Sequence, residues 1–231
     1  MKAMVITPLI ILLLTISSTI SAQQAEKEYT YQVKIVNSKG KPQPNIYAYH
    51  ENYYTKERKY FKSDKNGIMT ITSTNISVDM YIDAEKSNGL HRKFFHFYRE
   101  PKESIVYDTK KEIEKAMKGK VLTTIQEHPE YPGGIEECMK FLHKKAWEHP
   151  VIKKENSFHA NRTGIPQLVI IQFIIDKKGN IKYPAVVRGL GSPIDQAAID
   201  VLLTMPKWEP GKHKGKPVNC LFALPVRVLF I

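Results

Sequence analysis

The sequence predicts two domains of different fold class, a small all-β sandwich over residues 27–108 and an α+β domain over residues 119–231. Residues 29–107 contain about seven short β-prone runs, separated by turn signals, and no helical periodicity. Residues 119–231 instead combine strand alternation with two amphipathic helical stretches. The Lys- and Glu-rich stretch between the domains, residues 109–118, is predicted to be an exposed linker or a short helix.

The first domain is predicted from its order of strands and turns. Residues 29–36 alternate as a strand, and Ser38-Lys39-Gly40-Lys41-Pro42 predicts a turn. Asp64-Lys65-Asn66-Gly67 has the composition of a hairpin turn. The other β-prone runs lie at residues 45–49, 61–63, 68–72, 78–84, 91–98 and 104–107. Short strands with frequent turns favour a small sandwich.

The second domain contains a predicted antiparallel hairpin. Alternate positions of residues 169–175 are apolar, which predicts a strand with one buried face. A turn cluster follows at residues 176–180, where Gly179 and Asn180 tolerate positive φ. The β-rich run at residues 181–188 is then expected to return beside the first strand.

Two helices are predicted to pack on this sheet. Residues 135–147 place their apolar side chains on one side of a helix. The second helix is expected to start with Ser192 as N-cap, Pro193 at the first helical position and Asp195 three residues after the cap. Pro206 ends it.

The last strand has the clearest pattern, since every second position from Val218 to Phe230 is apolar. Pro225 has no N–H to donate to a ladder and is tolerated mainly on edge strands, so this strand is predicted to form a sheet edge. The unpaired backbone groups of an edge invite another strand. The alternative is an edge that Pro225 and Arg227 merely blunt.

Four motifs in this part of the chain resemble a known family. They are the turn PEYPGG at residues 129–134, the hairpin FIIDKKGNI at 173–181, the helix start RGLGSPIDQAAI at 188–199 and the loop MPKWEPGKHKGKPV at 205–218. Together they resemble the C-terminal domain of TonB-type energy transducers, in the version common in Bacteroidetes-type bacteria.

The resemblance implies a periplasmic module that grips an extended segment of an outer-membrane TonB-dependent transporter and passes on force from an inner-membrane motor. The transporter segment would add as a strand beside the last strand of the module. By position, the partner-binding edge strand consists of Leu221, Phe222, Ala223, Leu224, Val226, Arg227, Val228 and Leu229. The long Pro-rich spacer of such transducers does not occur in this sequence. The alternative function is therefore a non-energised structural or interaction module of the cell envelope.

The first domain has a resemblance of its own. The segments VNSKGKPQPNIYAY at residues 36–49 and KSDKNGIMTI at residues 62–71 resemble carboxypeptidase-regulatory-like, or transthyretin-like, domains. Such domains act as rigid spacers or binding adaptors. The first domain is therefore expected to occupy the place of the missing spacer.

Residues 1–22 have the layout of a secretory signal peptide, with Lys2, an apolar run and a small residue at the end. Cleavage is expected between Ala22 and Gln23, which would release the protein into the periplasm. The alternative is a retained inner-membrane anchor with the rest of the chain facing the periplasm. An anchored form could contact inner-membrane motor proteins.

The formal net charge is +12, with 35 Lys and Arg against 23 Asp and Glu. The lysines are spread over predicted turns and polar faces, and the aromatic residues are not expected to interleave with a basic stripe. A solvated surface explains this charge, and nucleic acid is not a predicted partner of an exported chain.

The chain contains no H-E-x-x-H, G-x-S-x-G, P-loop or C-x-x-C motif, so neither an enzyme, a metal site nor a cofactor is predicted. Its two cysteines, Cys138 and Cys220, are expected to point into the same core. A disulfide between them and a pair of buried free thiols are both open.

Overall fold

The computed structural model describes residues 28–52, 55–74, 77–90, 92–98, 104–159, 167–191 and 193–229. The predicted leader at residues 1–22 lies outside them. The described residues form four helices and thirteen strands. The helices are α1 (Lys110–Ala116), α2 (Gly134–Glu148), α3 (Pro150–His159) and α4 (Ile194–Leu203). The strands are β1 (Tyr29–Val36), β2 (Tyr47–Glu51), β3 (Arg58–Lys62), β4 (Ile68–Ser73), β5 (Ser77–Ile82), β6 (Lys93–Tyr98), β7 (Ile105–Val106), β8 (Val121–Leu122), β9 (Gln167–Ile175), β10 (Ile181–Arg188), β11 (Lys212–His213), β12 (Lys216–Pro217) and β13 (Asn219–Leu229).

The first seven strands lie at the seven predicted β-prone runs and form two sheets. One has the strand order β4-β1-β7 and the other β3-β2-β5-β6. Side chains from both sheets form one buried cluster, in which Ile35 of β1 and Met80 and Ile82 of β5 are 0 % exposed. We refer to β1–β7 as the first β unit. Its carboxypeptidase-regulatory-like type stays a prediction.

The turn between β3 and β4 has the local structure that its composition predicts. One carboxylate oxygen of Asp64 accepts hydrogen bonds from the backbone N–H groups of Asn66 and Ile68, both at 2.8 Å. Gly67 has φ 74°, a left-handed conformation that glycine adopts without steric cost. The turn therefore sets the register in which β4 begins.

The predicted linker or short helix is the helix α1, and it contacts both parts of the chain. Thr109 and Glu112 form a capping box at its start. Glu112 Oε1 also accepts a hydrogen bond from Asn37 Nδ2 of the first β unit at 2.8 Å. On the other side, Ile113 is buried against Ile174 of β9. These contacts join the first β unit to the C-terminal sheet.

The C-terminal sheet has the strand order β10-β9-β13-β8. β9 pairs antiparallel with both β10 and β13, whereas β8 pairs parallel with β13. Side chains of α2, α3 and α4 share a core with one face of this sheet, where Phe173, Leu142 and Ile152 are almost fully buried. The sequence predicts two helices here, and α3 is the third. Pro150 stands in the first position of α3, where its missing N–H costs nothing.

The start of α4 differs from its prediction. The helix begins at Ile194 with Pro193 as its cap, and Ser192 lies outside the described residues. The carboxylate of Asp195 accepts hydrogen bonds from the N–H groups of Leu190 at 2.8 Å and Gly191 at 3.3 Å. Burial raises the pKa of Asp195 despite these bonds. The acid therefore fixes the loop that precedes α4.

Candidate functional site

β13 has one long open edge. Along one side it pairs with β9 from Cys220, opposite Ile175, to Arg227, opposite Leu168. Along the other side only Asn219 and Cys220 pair with β8. Of the eleven residues of β13, nine therefore have no strand on the side away from β9 in the described part of the chain. At about 3.3 Å per residue the open edge is roughly 30 Å long, enough to pair with an extended segment.

The two faces of β13 differ in burial. Leu224, Val226 and Val228 are buried in the core beneath the helices, as the apolar alternation predicts. On the opposite face Ala223 and Arg227 are exposed. An added strand would therefore meet the small Ala223 and the charged Arg227 on that face, beside the partly buried Leu221 and Pro225.

Pro225 identifies the backbone groups that face the open edge. It lies opposite Ile170 in a pairing that continues on both sides of it. A proline is tolerated in a strand where its nitrogen points away from the ladder, and successive residues point to opposite sides. Leu221, Ala223 and Arg227 lie two or four residues from Pro225, so their backbone groups point to the same side of the strand. We infer that their N–H and C=O groups face the open edge.

The tight turn between β9 and β10 holds the hairpin on which β13 pairs. Asp176 Oδ1 accepts hydrogen bonds from the N–H groups of Lys178 at 2.8 Å and Asn180 at 2.9 Å. Burial alone would raise the pKa of Asp176, but these bonds and those from the Asn180 side chain outweigh it and lower the pKa. Gly179 has φ 81°, and a β-carbon at this position would collide with the Trp208 carbonyl oxygen, which leaves no space for a side chain.

An aromatic cluster anchors two loops beneath the start of β13. The Trp208 ring is 3 % exposed and meets Tyr131 edge-on at 5.5 Å and Phe222 at 5.4 Å between centroids. Phe173 of β9 lies 6.2 Å from the same ring. The cluster thus ties the PEYPGG turn and the KWEPG loop to β9 and β13. It fixes the strand that carries the open edge.

Cys138 and Cys220 are both buried and both free. Burial raises the pKa of Cys138 to about 11, and burial also raises the pKa of Cys220. Cys220 Sγ lies 3.8 Å from the carbonyl oxygen of Ile175 as a weak donor. Both groups are protonated at neutral pH and serve as small core residues.

The expectation that aromatic and basic residues do not interleave is wrong for one face of the first β unit. Tyr60, Tyr49, Tyr81 and Phe94 form a row across β3, β2, β5 and β6, with neighbouring ring centroids 5.4, 5.6 and 5.2 Å apart. These residues come from four separate stretches of sequence, so only the strand pairing reveals the row. We call these four residues the aromatic row.

Cationic side chains cover three members of the aromatic row. Arg58 lies 4.5 Å from the ring centroid of Tyr49 and Arg92 lies 4.7 Å from that of Tyr81. Lys86 Nζ lies 3.6 Å from the centroid of Tyr60. At the other end of the row, Phe94 is buried in the core of the C-terminal sheet. The row is therefore an internal contact surface at that end.

Within the described ranges, no three His, Cys, Asp or Glu side chains are grouped so that they could hold a metal ion. No described helix is both long and apolar enough to cross a membrane.

Residues 158–228 match the family model described as Gram-negative bacterial TonB protein C-terminal. That segment is similar to TonB. The match includes β9, β10, α4 and β13 up to Val228, so it contains nearly all of the open edge. It supports the predicted TonB C-terminal family for this part of the chain and a TonB-family role in transport. No curated protein and no solved structure matches the chain.

Proposed function

We propose that the chain is a periplasm-facing TonB-family module that binds an extended segment of an outer-membrane transporter along the open edge of β13. The observation on which this rests is that the segment similar to TonB ends in a strand with nine unpaired residues on one side. The added segment would become the next strand of the C-terminal sheet.

The open edge suits this role because it is held rigid before any partner arrives. β13 is paired with β9 along its length, and its inner face is buried with Val226 and Val228 at 0 % exposure. A preorganised strand loses little conformational entropy on binding, so more of the backbone pairing energy appears as affinity.

The exposed side chains of β13 can contribute to the selection of a partner segment. Ala223 is exposed and small, and the guanidinium of Arg227 is exposed with no ion pair among the described residues. A partner segment with a small or apolar residue beside Ala223 and an acidic residue beside Arg227 would complement this face.

Site-specific photo-cross-linking in cells tests the proposal. A photoreactive residue at Ala223 is expected to capture an outer-membrane β-barrel transporter, because this position lies on the open edge. The same residue at Lys178, on the exposed β9–β10 turn, is the matched control and is expected to capture far less. Equal capture at both positions, or none, contradicts the proposal and favours a structural module of the envelope.

The location of the chain is tested separately. N-terminal sequencing of the protein from cells distinguishes the two forms of the leader. A mature start at Gln23 supports export into the periplasm, and retention of residues 1–22 supports an anchored form that could contact an inner-membrane motor.

A further inference from the structure

The C-terminal sheet ends on its other side in β10, a strand of eight residues. A strand in that position exposes a row of backbone groups unless something closes it. Two open edges on one sheet would offer two docking sites and would also favour edge-to-edge aggregation.

β6 of the first β unit lies alongside β10 without joining its sheet. Phe94 of β6 is 6 % exposed and belongs to the same buried cluster as Val186 of β10. Tyr81, the neighbour of Phe94 in the aromatic row, also packs against that cluster. The first β unit therefore contributes side chains to the core of the C-terminal sheet at its β10 side.

Arg92 forms a hydrogen bond with a backbone carbonyl group of β10. Its Nη2 donates a hydrogen bond to the carbonyl oxygen of Val187 at 3.2 Å, a group that a further strand would need. Its Nη1 donates to the Tyr49 hydroxyl at 3.0 Å, and its guanidinium stacks on Tyr81. These contacts hold the arginine in the orientation that covers Val187.

The contacts continue past both ends of this central region. At one end Leu90 and Tyr183 pack in the same small cluster. At the other end Gly191 faces the ring of His96. The contact between the two parts therefore extends from Tyr183 to the loop after β10.

We infer that the first β unit acts as an intramolecular cap on the β10 edge, so that β13 is the single docking edge of the C-terminal sheet. This role goes beyond the proposed function, because it requires no transporter. The first seven strands then do more than a spacer would: by covering β10 they determine that a partner strand can bind only at β13.

Hydrogen–deuterium exchange on the full chain tests the cap. In the double variant Arg92→Ala, Phe94→Ala, amide exchange within β10 is expected to rise about tenfold, because the amides lose their cover. The matched control is Phe95→Leu. Phe95 is the next residue of β6 but packs in the core of the first β unit, so this variant perturbs the same strand without uncovering β10.

The cap is supported if β10 exchange rises in the double variant and stays near the wild-type level in Phe95→Leu. Unchanged exchange in the double variant, or an equal rise in both variants, overturns it. If the double variant loses its circular dichroism signal, Arg92→Ala alone replaces it and is expected to raise β10 exchange by a smaller factor. Unchanged amide exchange within β10 in Arg92→Ala also overturns the cap. The transporter takes no part, so failure of the proposed function leaves this test unaffected.

Discussion

The two long edges of the C-terminal sheet share two edge-strand signals in sequence but have different surroundings. β10 and β13 each contain one proline, Pro184 and Pro225, and each has an exposed arginine near its end, Arg188 and Arg227. Yet β10 lies against the first β unit, while nine residues of β13 have no strand on the side away from β9 in the described part of the chain. Edge-strand signals in sequence therefore do not distinguish a docking edge from a closed one.

The two strands also differ in regularity. The pairing of β10 with β9 shifts register between Lys182 and Ala185 and again between Val186 and Arg188, and Tyr183 has φ 49°. The pairing of β13 with β9 is continuous from Cys220 to Arg227. Because irregular pairing bends a strand and increases its twist, β10 is the poorer template for a further strand even before it is covered.

Removal of the Phe94 side chain should have the largest effect, because it opens the closed edge and leaves a cavity. Phe94→Ala is expected to lower the free energy of unfolding by about 3 kcal/mol, the lower end for a buried phenylalanine. Urea titration followed by circular dichroism measures it. Val106→Ala, at a position that is 44 % exposed, is the control and should cost less than about 0.5 kcal/mol. Similar losses in both variants would contradict the burial of Phe94 at the β10 side.

The opposite change closes the open edge. Ala223→Pro removes an N–H group that we infer to face the edge, so cross-linking of the transporter from a second edge position, Leu221, should fall about tenfold. Ala223→Ser keeps the N–H and should leave capture near the wild-type level. The pairing with β9 is expected to survive in both variants, and a thermal melt checks this. Full capture by a folded Ala223→Pro protein would show that the partner does not pair with this part of β13.

The comparison of the edges also shows where the sequence was sufficient. The alternation in β9 and β13 and the turn at Gly179 follow from local rules and are present at the predicted places. The predicted apolar side of α2 is only partly buried: Cys138, Leu142 and Ala146 lie in the core, whereas Ile135 and Met139 are exposed. The two predicted helices do not include α3, although Pro150 at its first position is a helix-start signal in the sequence. Those rules use only neighbouring residues, so they succeed where the structure is local.

The closure of β10 could not be predicted in the same way. Phe94 and Phe95 are both aromatic and adjacent, and only the packing of two distant sheets decides which one enters the C-terminal core. The aromatic row likewise joins residues from four strands. Contacts between distant segments set both features, and a single sequence contains no periodicity that records them.

The contact of α1 with the first β unit, through Glu112, should make a moderate and pH-dependent contribution to the free energy of unfolding. Burial alone would raise the pKa of Glu112, but hydrogen bonds from Asn37, Thr109 and Gln43 outweigh it and hold the pKa below its ordinary value. A carboxyl whose pKa is lower in the folded state stabilises the fold above its unfolded pKa. That contribution is lost as the pH falls through the folded pKa.

Replacement of this carboxylate should remove that dependence. Glu112→Gln is expected to lower the free energy of unfolding by about 1 kcal/mol at pH 7. The difference in this free energy between variant and wild type should become smaller as the pH falls below about 4. Urea unfolding at a series of pH values measures both. The control is Glu136→Gln, at an exposed position in the first turn of α2. Its free energy of unfolding should differ little from that of the wild type at every pH. A difference for Glu112→Gln that does not change with pH would contradict the role of the ionised carboxylate.

The smallest effect is expected from the arginine near the end of each edge strand. If an acidic residue of the partner lies beside Arg227, Arg227→Glu replaces an attraction with a repulsion. Capture from Ala223 should then fall about threefold to fivefold, the upper part of the range for a cross-strand charge pair. Arg188→Glu makes the same change in net charge on the capped strand and should leave capture unchanged. A partner segment with its acidic residue changed to lysine should restore capture by Arg227→Glu and should lower capture by Arg188→Glu, which keeps Arg227. Equal losses in the two variants would mean that overall charge, and not the position of Arg227 on the open edge, attracts the partner.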